Sequence, residues 1–234
     1  MMRRLVGSEM CIRDRASRSK GIKVTGYDID SNSVKNAFQN QIIDDEASSI
    51  EQINSKKYTK DIDLIILAIP PKQTLDMLNS LQEVWNTDTT ITETSSVKNH
   101  IKIEGVSNIV LSHPIAGSDQ SGLLDADENI FKNKKNVLCN PFNSDKDHYD
   151  KVENFWSNAL QMKTALMTVS EHDLIFAMTS HLPHLISYAL IDSIRLSNND
   201  VGDNAGGGIK EFLRLSGSNP EMWRDIFMLN RVDL

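Results

Sequence analysis

An apolar run at residues 61–69 limits the fold of this chain more than any other stretch. Its sequence is Asp-Ile-Asp-Leu-Ile-Ile-Leu-Ala-Ile, and it ends at Pro70-Pro71. Apolar residues occupy successive positions, which point to opposite faces of a strand, so both faces must be buried. Such strands are typical of parallel sheets covered by helices on two sides. The run therefore predicts an α/β protein.

Strand and helix patterns alternate from residue 21 to residue 169, which predicts a mostly parallel, doubly wound sheet. Strands are predicted at Ile22–Asp28, Asp61–Ile69, Thr89–Thr94, Asn108–Leu111, Asn136–Asn140 and, at an edge, Lys163–Thr168. Helices are predicted after an N-cap at Ser31 and at Gln73–Trp85, Asn99–Glu104 and Asp147–Leu160.

The pattern becomes entirely helical after Val169. Ser170 is predicted to cap a helix that runs to Asp192, with Asp173 completing a partial capping box. Two further helices are predicted at Ile209–Leu215 and Pro220–Leu229. We therefore divide the chain into an α/β domain over residues 1–169 and an all-α domain over residues 170–234.

Composition excludes several classes of function. A hydrophobic fraction of 39% and a charged fraction of 24% are ordinary for a soluble globular protein. A net charge of −7 disfavours a nucleic-acid partner, because phosphate binding requires a basic surface. Cys11 and Cys139 form no disulfide framework or metal cluster, and no apolar run approaches the roughly 20 residues of a membrane span. These features predict a cytoplasmic protein without a membrane partner.

His113 lies in the stretch Ser112–Gly122, directly after the predicted strand Asn108–Leu111. Open α/β sheets bind ligands beyond the carboxyl ends of their strands, and an imidazole suits proton transfer near neutral pH. His113 is therefore a candidate catalytic base. A structural histidine that ends the strand is the alternative, and the local pattern leaves both open.

Asp28 closes the predicted strand Ile22–Asp28. A carboxylate at the end of the second strand of a dinucleotide-binding sheet accepts hydrogen bonds from the adenosine ribose and repels a 2′-phosphate. Asp28 is thus a candidate for binding NAD in preference to NADP. The alternative is a surface aspartate that begins a turn with Asp30.

The chain resembles the prephenate dehydrogenase family from about Ala16 to Arg231. The resemblance is carried by motifs that occur in this order: Ala-Ile-Pro-Pro at 68–71, Glu-Thr-Ser-Ser-Val-Lys at 93–98, the His113 stretch, Ser-His-Leu-Pro-His at 180–184, and Phe-Leu-Arg…Pro-Glu-Met-Trp at 212–223. It implies an α/β Rossmann-type domain followed by an all-α dimerisation domain in a homodimer. It also implies oxidative decarboxylation of prephenate by NAD to 4-hydroxyphenylpyruvate, on the route to tyrosine.

The resemblance also implies roles for individual residues. His113 would be the base, and Ser96 would bridge it to the nicotinamide, although Ser96 could instead cap a helix. Cofactor contacts fall on Asp28, Ala68, Ile69, Pro70 and Ser95, where simple strand termination is the alternative for 68–70. Substrate contacts fall on Ser180, His184, Gly207, Arg214, Asp119 and, from the partner subunit, Trp223. His181 is left to core packing, and metal binding by His181 and His184 is disfavoured because no third ligand is nearby in sequence.

The first residues depart from the family pattern. Residues 1–20 hold six basic and two acidic residues, against 19 and 30 in the rest. Residues 1–15 contain no Gly-rich turn that could bind a pyrophosphate, and Ser8–Arg15 resembles translated sequencing adapter. We expect the first strand and its Gly-rich loop to be missing or replaced in 1–15. We also expect the helical domain to be truncated after Leu234.

Two other functions remain open at this point. Arogenate dehydrogenase acts on a substrate that differs by an amino group in place of a keto group. A cofactor-defective, non-catalytic dimer partner is the second alternative, favoured by the missing glycine loop and disfavoured by the retained His113, Ser96, His184 and Arg214.

Overall fold

The computed structural model describes residues 21–116, 130–197 and 206–234. These residues belong to two compact units. The first contains the chain up to Ser95 together with Ile101–Val169, and the second contains Ser96–His100 together with Ser170–Leu234. The segment Ser96–His100 thus belongs to the helical unit, although the α/β pattern surrounds it in sequence.

The first unit contains a mostly parallel sheet, as predicted. Its strands are β1 (Thr25–Gly26), β2 (Asp45–Glu46), β3 (Leu64–Leu67), β4 (Thr90–Glu93), β5 (Ile109–Ile115), β6 (Lys135–Cys139) and β7 (Lys163–Leu166). Strands β3 to β7 form a 5-stranded sheet in sequence order, and β1 and β2 form a separate parallel pair. Only β5 and β6 pair in the antiparallel sense among these strands.

Helices flank these strands: α1 (Ser31–Gln39), α2 (Ile50–Ile53), α3 (Lys56–Thr59), α4 (Pro71–Ser80) and α5 (Lys146–Asn154). A 3₁₀ turn at Gln82–Val84 follows α4, and a π turn at Phe155–Ala159 extends α5. The main apolar core lies between α5 with its π turn and one face of the sheet, and includes Leu64, Ile66, Val110, Leu138, Val152, Phe155 and Trp156. The apolar run therefore does supply a strand that is buried throughout, Leu64–Leu67.

The second unit contains α6 (Val169–Phe176), a π turn (Ala177–His181), α7 (Leu182–Leu196), α8 (Gly207–Ser216) and α9 (Pro220–Leu229). Helical structure is continuous over the 28 residues from Val169 to Leu196, which is long and apolar enough to cross a membrane. The prediction that the protein has no membrane partner stays a prediction. Length and composition are weak grounds for a membrane span, because helices of soluble proteins meet the same criteria.

Two local predictions differ from the structure, and in both places a side-chain carboxylate accepts a hydrogen bond. Asp30, not Ser31, caps α1, because its carboxylate accepts from Asn32 N at 3.1 Å and from Ser33 Oγ at 2.7 Å. The predicted strand Ile22–Asp28 shortens to β1, since the Asp44 carboxylate takes the Val24 N–H at 2.8 Å.

Two predictions around Asp173 are wrong. No helix forms at Asn99–Glu104, and Ser170 lies inside α6 rather than capping it. The Asp173 carboxylate does not close a capping box, because it accepts instead from the backbone N–H groups of Lys98 and Asn99.

Candidate active site

His113 lies within β5, because this strand continues past the predicted Asn108–Leu111. Antiparallel pairing with β6 extends the strand to Ile115 and sets His113 opposite Val137. Successive residues of a strand face opposite sides. His113 therefore points away from the face on which the Ser112 hydroxyl contacts Thr92 Oγ1 at 2.7 Å and Trp156 Nε1 at 2.9 Å. Its side chain is half-buried, so a rigid strand presents an imidazole that keeps some access.

The turn after β4 carries Ser95 and leads to Ser96. Glu93, the last residue of β4, is fully buried, and its Oε2 accepts from the backbone N–H of Ser95 at 2.7 Å. Ser96 is half-buried and is the first residue of the segment assigned to the second unit. The alternative that Ser96 caps a helix is wrong, because residues 97–104 form none.

The residues of the first unit that are predicted to bind the cofactor follow β1 and β3. Asp28 is partly buried, and its Oδ1 accepts from Asp30 N at 2.9 Å. Burial raises the pKa of Asp28 above its ordinary value, and the Asp30 N–H opposes that rise. Ala68 directly follows β3 and packs against the cluster of Val24, Val34, Ala37, Ile42 and Ile43 that joins β1 to α1.

These described residues fit the adenosine side of a dinucleotide. The Asp28 carboxylate has an oxygen, Oδ2, beyond the one that accepts from Asp30, and Ile69 and Pro70 continue from Ala68 into the start of α4. A pyrophosphate requires backbone N–H groups from a Gly-rich turn. Residues 1–15, in which this turn is predicted to be missing or replaced, lie outside the described residues.

In the second unit, Ser180, His184 and Trp223 lie together. The His184 and Trp223 rings stack with centroids 3.6 Å apart and an interplanar angle of 17°. His184 Nδ1 lies 2.8 Å from the Ser180 carbonyl oxygen, an acceptor, so Nδ1 carries the proton. Burial lowers the pKa of His184, and the nearby positive charge of Arg214 lowers it further. His184 is therefore neutral near pH 7, with a lone pair on Nε2.

Arg214 lies on α8, where its Nε donates to Glu211 Oε2 at 3.1 Å. Half of its side chain is exposed. Gly207 is the first residue of α8, and a Cβ placed there would meet no described atom within 4 Å. Trp223 is buried within its own protomer, so the expected reach into a partner's site stays a prediction.

A buried polar cluster in the second unit escaped the sequence interpretation. It comprises His172, Asp173, His181 and Asn230, each almost wholly buried. The signal in the sequence is the pair His172-Asp173, of which Asp173 is predicted only to complete a partial capping box with Ser170. Among the described residues, no group of three or more His, Cys, Asp or Glu side chains has metal-binding geometry. Asp119 lies outside the described residues.

Two family profiles match consecutive parts of the chain. The profile described as "Prephenate dehydrogenase, nucleotide-binding domain" matches residues 14–162, and "Prephenate dehydrogenase, dimerization domain" matches residues 168–234. The chain belongs to the prephenate dehydrogenase family. The first match begins at residue 14, near the end of the run 1–15 that departs from the family pattern in sequence.

Relatives carry names from the same family. The chain is 28% identical over 238 residues to prephenate dehydrogenase of Bacillus subtilis, covering 97% of this chain and 62% of the relative. It is 26% identical over 187 residues to cyclohexadienyl dehydrogenase of Zymomonas mobilis, covering 73% of this chain and 61% of the relative. The chain thus spans less than two thirds of the length of these curated relatives.

Solved structures share the fold. A prephenate dehydrogenase from Aquifex aeolicus, described as a complex with hydroxyphenyl propionate and NAD+, has a TM-score of 0.86 and 29% identity over 100% of this chain and 84% of its own. An arogenate dehydrogenase from Synechocystis has a TM-score of 0.79 and 24% identity over 100% of this chain and 85% of its own. At this identity the similarity shows the fold alone.

Proposed function

We propose that this protein oxidatively decarboxylates prephenate with NAD, forming 4-hydroxyphenylpyruvate, carbon dioxide and NADH in tyrosine biosynthesis. Membership of both domains in the prephenate dehydrogenase family is the observation that carries the proposal. The name of the Aquifex aeolicus structure, with NAD+ and hydroxyphenyl propionate, supports the same cofactor and a similar ring-containing ligand.

His113 is the proposed general base. Oxidation removes a proton from the ring hydroxyl while hydride leaves the carbon that bears it, so a neutral imidazole must face that hydroxyl. A half-buried histidine on a paired strand suits this role, because the strand limits its movement. Ser96 is proposed to orient His113 and the nicotinamide end of the cofactor.

The cofactor residues hold and select the dinucleotide. Asp28 would accept hydrogen bonds from the ribose hydroxyls and repel a 2′-phosphate, so that NAD is preferred. Ala68, Ile69, Pro70 and Ser95 would line the cofactor with backbone atoms where β3 and β4 end. Bound NAD would supply the hydride acceptor.

The substrate carboxylates are proposed to bind to the second unit. Arg214 would turn from Glu211 to a carboxylate, which a guanidinium grips with two parallel hydrogen bonds. His184 has Nδ1–H committed to Ser180, so it donates to a carboxylate only after Nε2 is protonated. In its neutral form it accepts from a substrate hydroxyl. Ser180, Gly207, Trp223 and Asp119 are proposed to complete the substrate site.

A homodimer is proposed from an apolar stripe on the outside of α6 and α7. Its members recur within one to four residues of each other and are 38–66% exposed: Leu174, Ile175, Met178, Leu182, Leu185 and Ile186. A stripe of this extent is typical of an interface, and the domain matches a dimerisation profile. With this face covered by a second copy, we propose a cytoplasmic enzyme.

Arogenate is the alternative substrate. The cyclohexadienyl dehydrogenase relative carries a name that is not restricted to prephenate. The two substrates differ only at the side chain, where Arg214 and His184 are proposed to bind. Comparing them therefore tests the specificity of this part of the site.

The experiment is a spectrophotometric assay of NADH formation with NAD and either prephenate or arogenate. We expect turnover of at least one substrate, and a loss in kcat of about 100-fold or more in His113→Asn, as for removal of a general base. An unchanged kcat in this variant would remove His113 from the role of base. If the protein binds neither NAD nor substrate and forms no NADH, the non-catalytic dimer partner becomes the better description.

A further inference from the structure

Ser96 lies in a segment that has no regular secondary structure of its own. Residues 97–104 contain neither helix nor strand, so repeating backbone hydrogen bonds do not hold Ser96 in place. Two buried carboxylates bind the backbone on either side of it. Glu93 accepts from Ser95 N within the first unit, and Asp173 accepts from Lys98 and Asn99 N within the second.

Asp173 makes the more extensive of these contacts. Its Oδ1 lies 2.9 Å from Lys98 N, and its Oδ2 lies 2.7 Å from Asn99 N. His172 Nδ1 contacts the same Oδ1 at 2.7 Å, and both side chains are 0% exposed. Two successive backbone N–H groups and one imidazole thus converge on one carboxylate. An amide could not accept all three, because its NH₂ group is itself a donor.

The charge state of Asp173 agrees with this geometry. Burial alone would raise the pKa of Asp173, but the hydrogen bonds from His172, Asn99 and Lys98 outweigh it and hold the pKa below its ordinary value. The group is therefore an ionised carboxylate, and charge-assisted hydrogen bonds of this kind are about twice as strong as neutral ones.

The position of Asp173 is itself fixed from α9. Asn230, which caps α9, donates from Nδ2 to the Asp173 carbonyl oxygen at 2.9 Å. Val97, the residue after Ser96, packs against Trp223 and Ile226 of the same helix. Trp223 is the ring that stacks on His184. The anchor of Ser96 and the support of His184 are therefore parts of one buried structure in the second unit.

We propose that Asp173, held by His172, is a positioning residue that sets the place of Ser96 in the reaction. This inference rests on the proposed function, in which Ser96 orients the base and the nicotinamide. Asp173 touches neither substrate nor cofactor in this assignment. It acts through the backbone of Lys98 and Asn99. Holding these residues in one conformation would keep Ser96 in position for the base and the nicotinamide.

The test is a double-mutant cycle between Ser96→Ala and Asp173→Asn, followed by NADH formation. Displacement of a catalytic group by about 1 Å can cost 100-fold in rate, so we expect Asp173→Asn to lower kcat by about 10- to 100-fold with little change in the KM for NAD. If Asp173 acts through Ser96, the kcat of the double variant will lie within about 3-fold of the kcat of Ser96→Ala. If the loss of kcat in the double variant instead equals the product of the losses in the two single variants, the proposal fails and Asp173 is a purely structural residue.

A matched pair at His172 separates positioning from general destabilisation. His172→Asn places an amide N–H close to the position of Nδ1 and should restore most of the kcat that His172→Leu loses. Ser187→Ala is the control, because it removes another buried hydrogen bond of the same unit, from Ser187 Oγ to Pro183 O, away from the segment. It should lower the melting temperature without changing kcat. Equal losses of kcat in His172→Asn and His172→Leu would contradict the proposal.

Hydrogen–deuterium exchange gives a readout that does not depend on activity. Loss of the carboxylate should speed exchange of the Lys98 and Asn99 amides at least 10-fold in Asp173→Asn, while Ser187→Ala leaves them protected. If these amides stay protected in Asp173→Asn, the proposal fails whether or not the protein is a dehydrogenase. If they are released but wild-type protein turns over neither substrate, the anchor exists and the proposed function fails.

Discussion

At the scale of single residues, His181 is the most constrained titratable group of the helical unit. It is 1% exposed, its Nδ1 lies 3.0 Å from Asn230 Nδ2, and its Nε2 is buried with no partner among the described residues. Burial lowers the pKa of His181 to about 4, and the negative charge of Asp173 only partly offsets this. The charges of His172 and His184 act in the same direction as burial. Folding therefore requires a neutral imidazole here.

This arrangement predicts a loss of stability in mild acid. The folded pKa lies below the unfolded value of about 6.5, so the unfolded state binds a proton that the folded state excludes as pH falls from about 6.5 to 4. We expect the free energy of unfolding to fall by on the order of 1–2 kcal/mol between about pH 7 and pH 5 from this residue. Urea unfolding at several pH values measures it.

His181→Asn is the matched variant, because its side-chain oxygen can accept from Asn230 as Nδ1 does. The variant should lose this part of the pH dependence whatever its stability at neutral pH. An identical slope in the variant and the wild type would show that other groups, such as His184, carry the effect.

Asp28 supports a prediction about the cofactor. Asp28→Asn removes the charge that repels a 2′-phosphate and weakens hydrogen bonds to the ribose, which are worth about 1.5–3 kcal/mol when one partner is charged. We expect KM for NAD to rise about 10-fold or more and the preference for NAD over NADP to shrink correspondingly. Steady-state kinetics with both cofactors measure the ratio.

Asp30 provides the control for this substitution. Its carboxylate caps α1, so Asp30→Ala should lower the stability and leave the cofactor ratio unchanged. If both variants changed the ratio equally, local structure rather than a ribose contact would account for the effect of Asp28.

At the scale of elements, α6 and α7 show what amphipathic patterning can and cannot predict. The helix was predicted from its sequence, and the side that carries Ala177, His181 and Ser187 is buried. The stripe of Leu, Ile and Met is also apolar, and packing within the unit leaves it exposed. Water contact with this stripe is unfavourable, which is why we place a second copy there.

Charge on this stripe should disrupt the proposed dimer. Met178 is 66% exposed at the middle of the stripe, and Met178→Glu would bury a carboxylate in the interface. We expect the dimer to dissociate at least 10-fold more readily, as measured by analytical ultracentrifugation, with the helical content preserved. Asn36→Glu adds the same charge to an exposed position on α1 and should leave the dimer unchanged. A Met178→Glu protein with wild-type sedimentation would place the interface elsewhere.

Elements held by their own pattern were predictable, and those held by remote hydrogen bonds were not. The sequence pattern locates the buried strand Leu64–Leu67 and the periodic helices α5 and α7 to within a few residues. The turn at 97–104 was predicted as a helix because nothing in its sequence reveals that Asp173, far along the chain, binds the Lys98 and Asn99 N–H groups. The apolar run Asn108–Leu111 predicts a strand that ends before His113, whereas antiparallel pairing with β6 continues β5 through Ile115.

At the scale of the whole molecule, fold class and family could be predicted because they depend on the order of elements and motifs. The unit to which each candidate site residue belongs could be predicted only in part. Arg214, Ser180, His184 and Trp223 belong to one unit, as motif matching implied, and the geometry adds that Ser180 fixes the protonated nitrogen of His184. The absence of a first strand and Gly-rich loop from residues 1–15 stays a prediction, because those residues lie outside the part of the chain that the structure describes.

The segment Ser96–His100 has a consequence for how this protein can be divided or exchanged. A helical domain cut out at Ser170 would lose Val97 from its apolar cluster and two of the three N–H donors to Asp173. A buried carboxylate without those donors is costly, so the excised piece should be unstable on its own. Recombination or domain swapping between relatives would therefore have to carry five residues from the middle of one module together with the whole of the next.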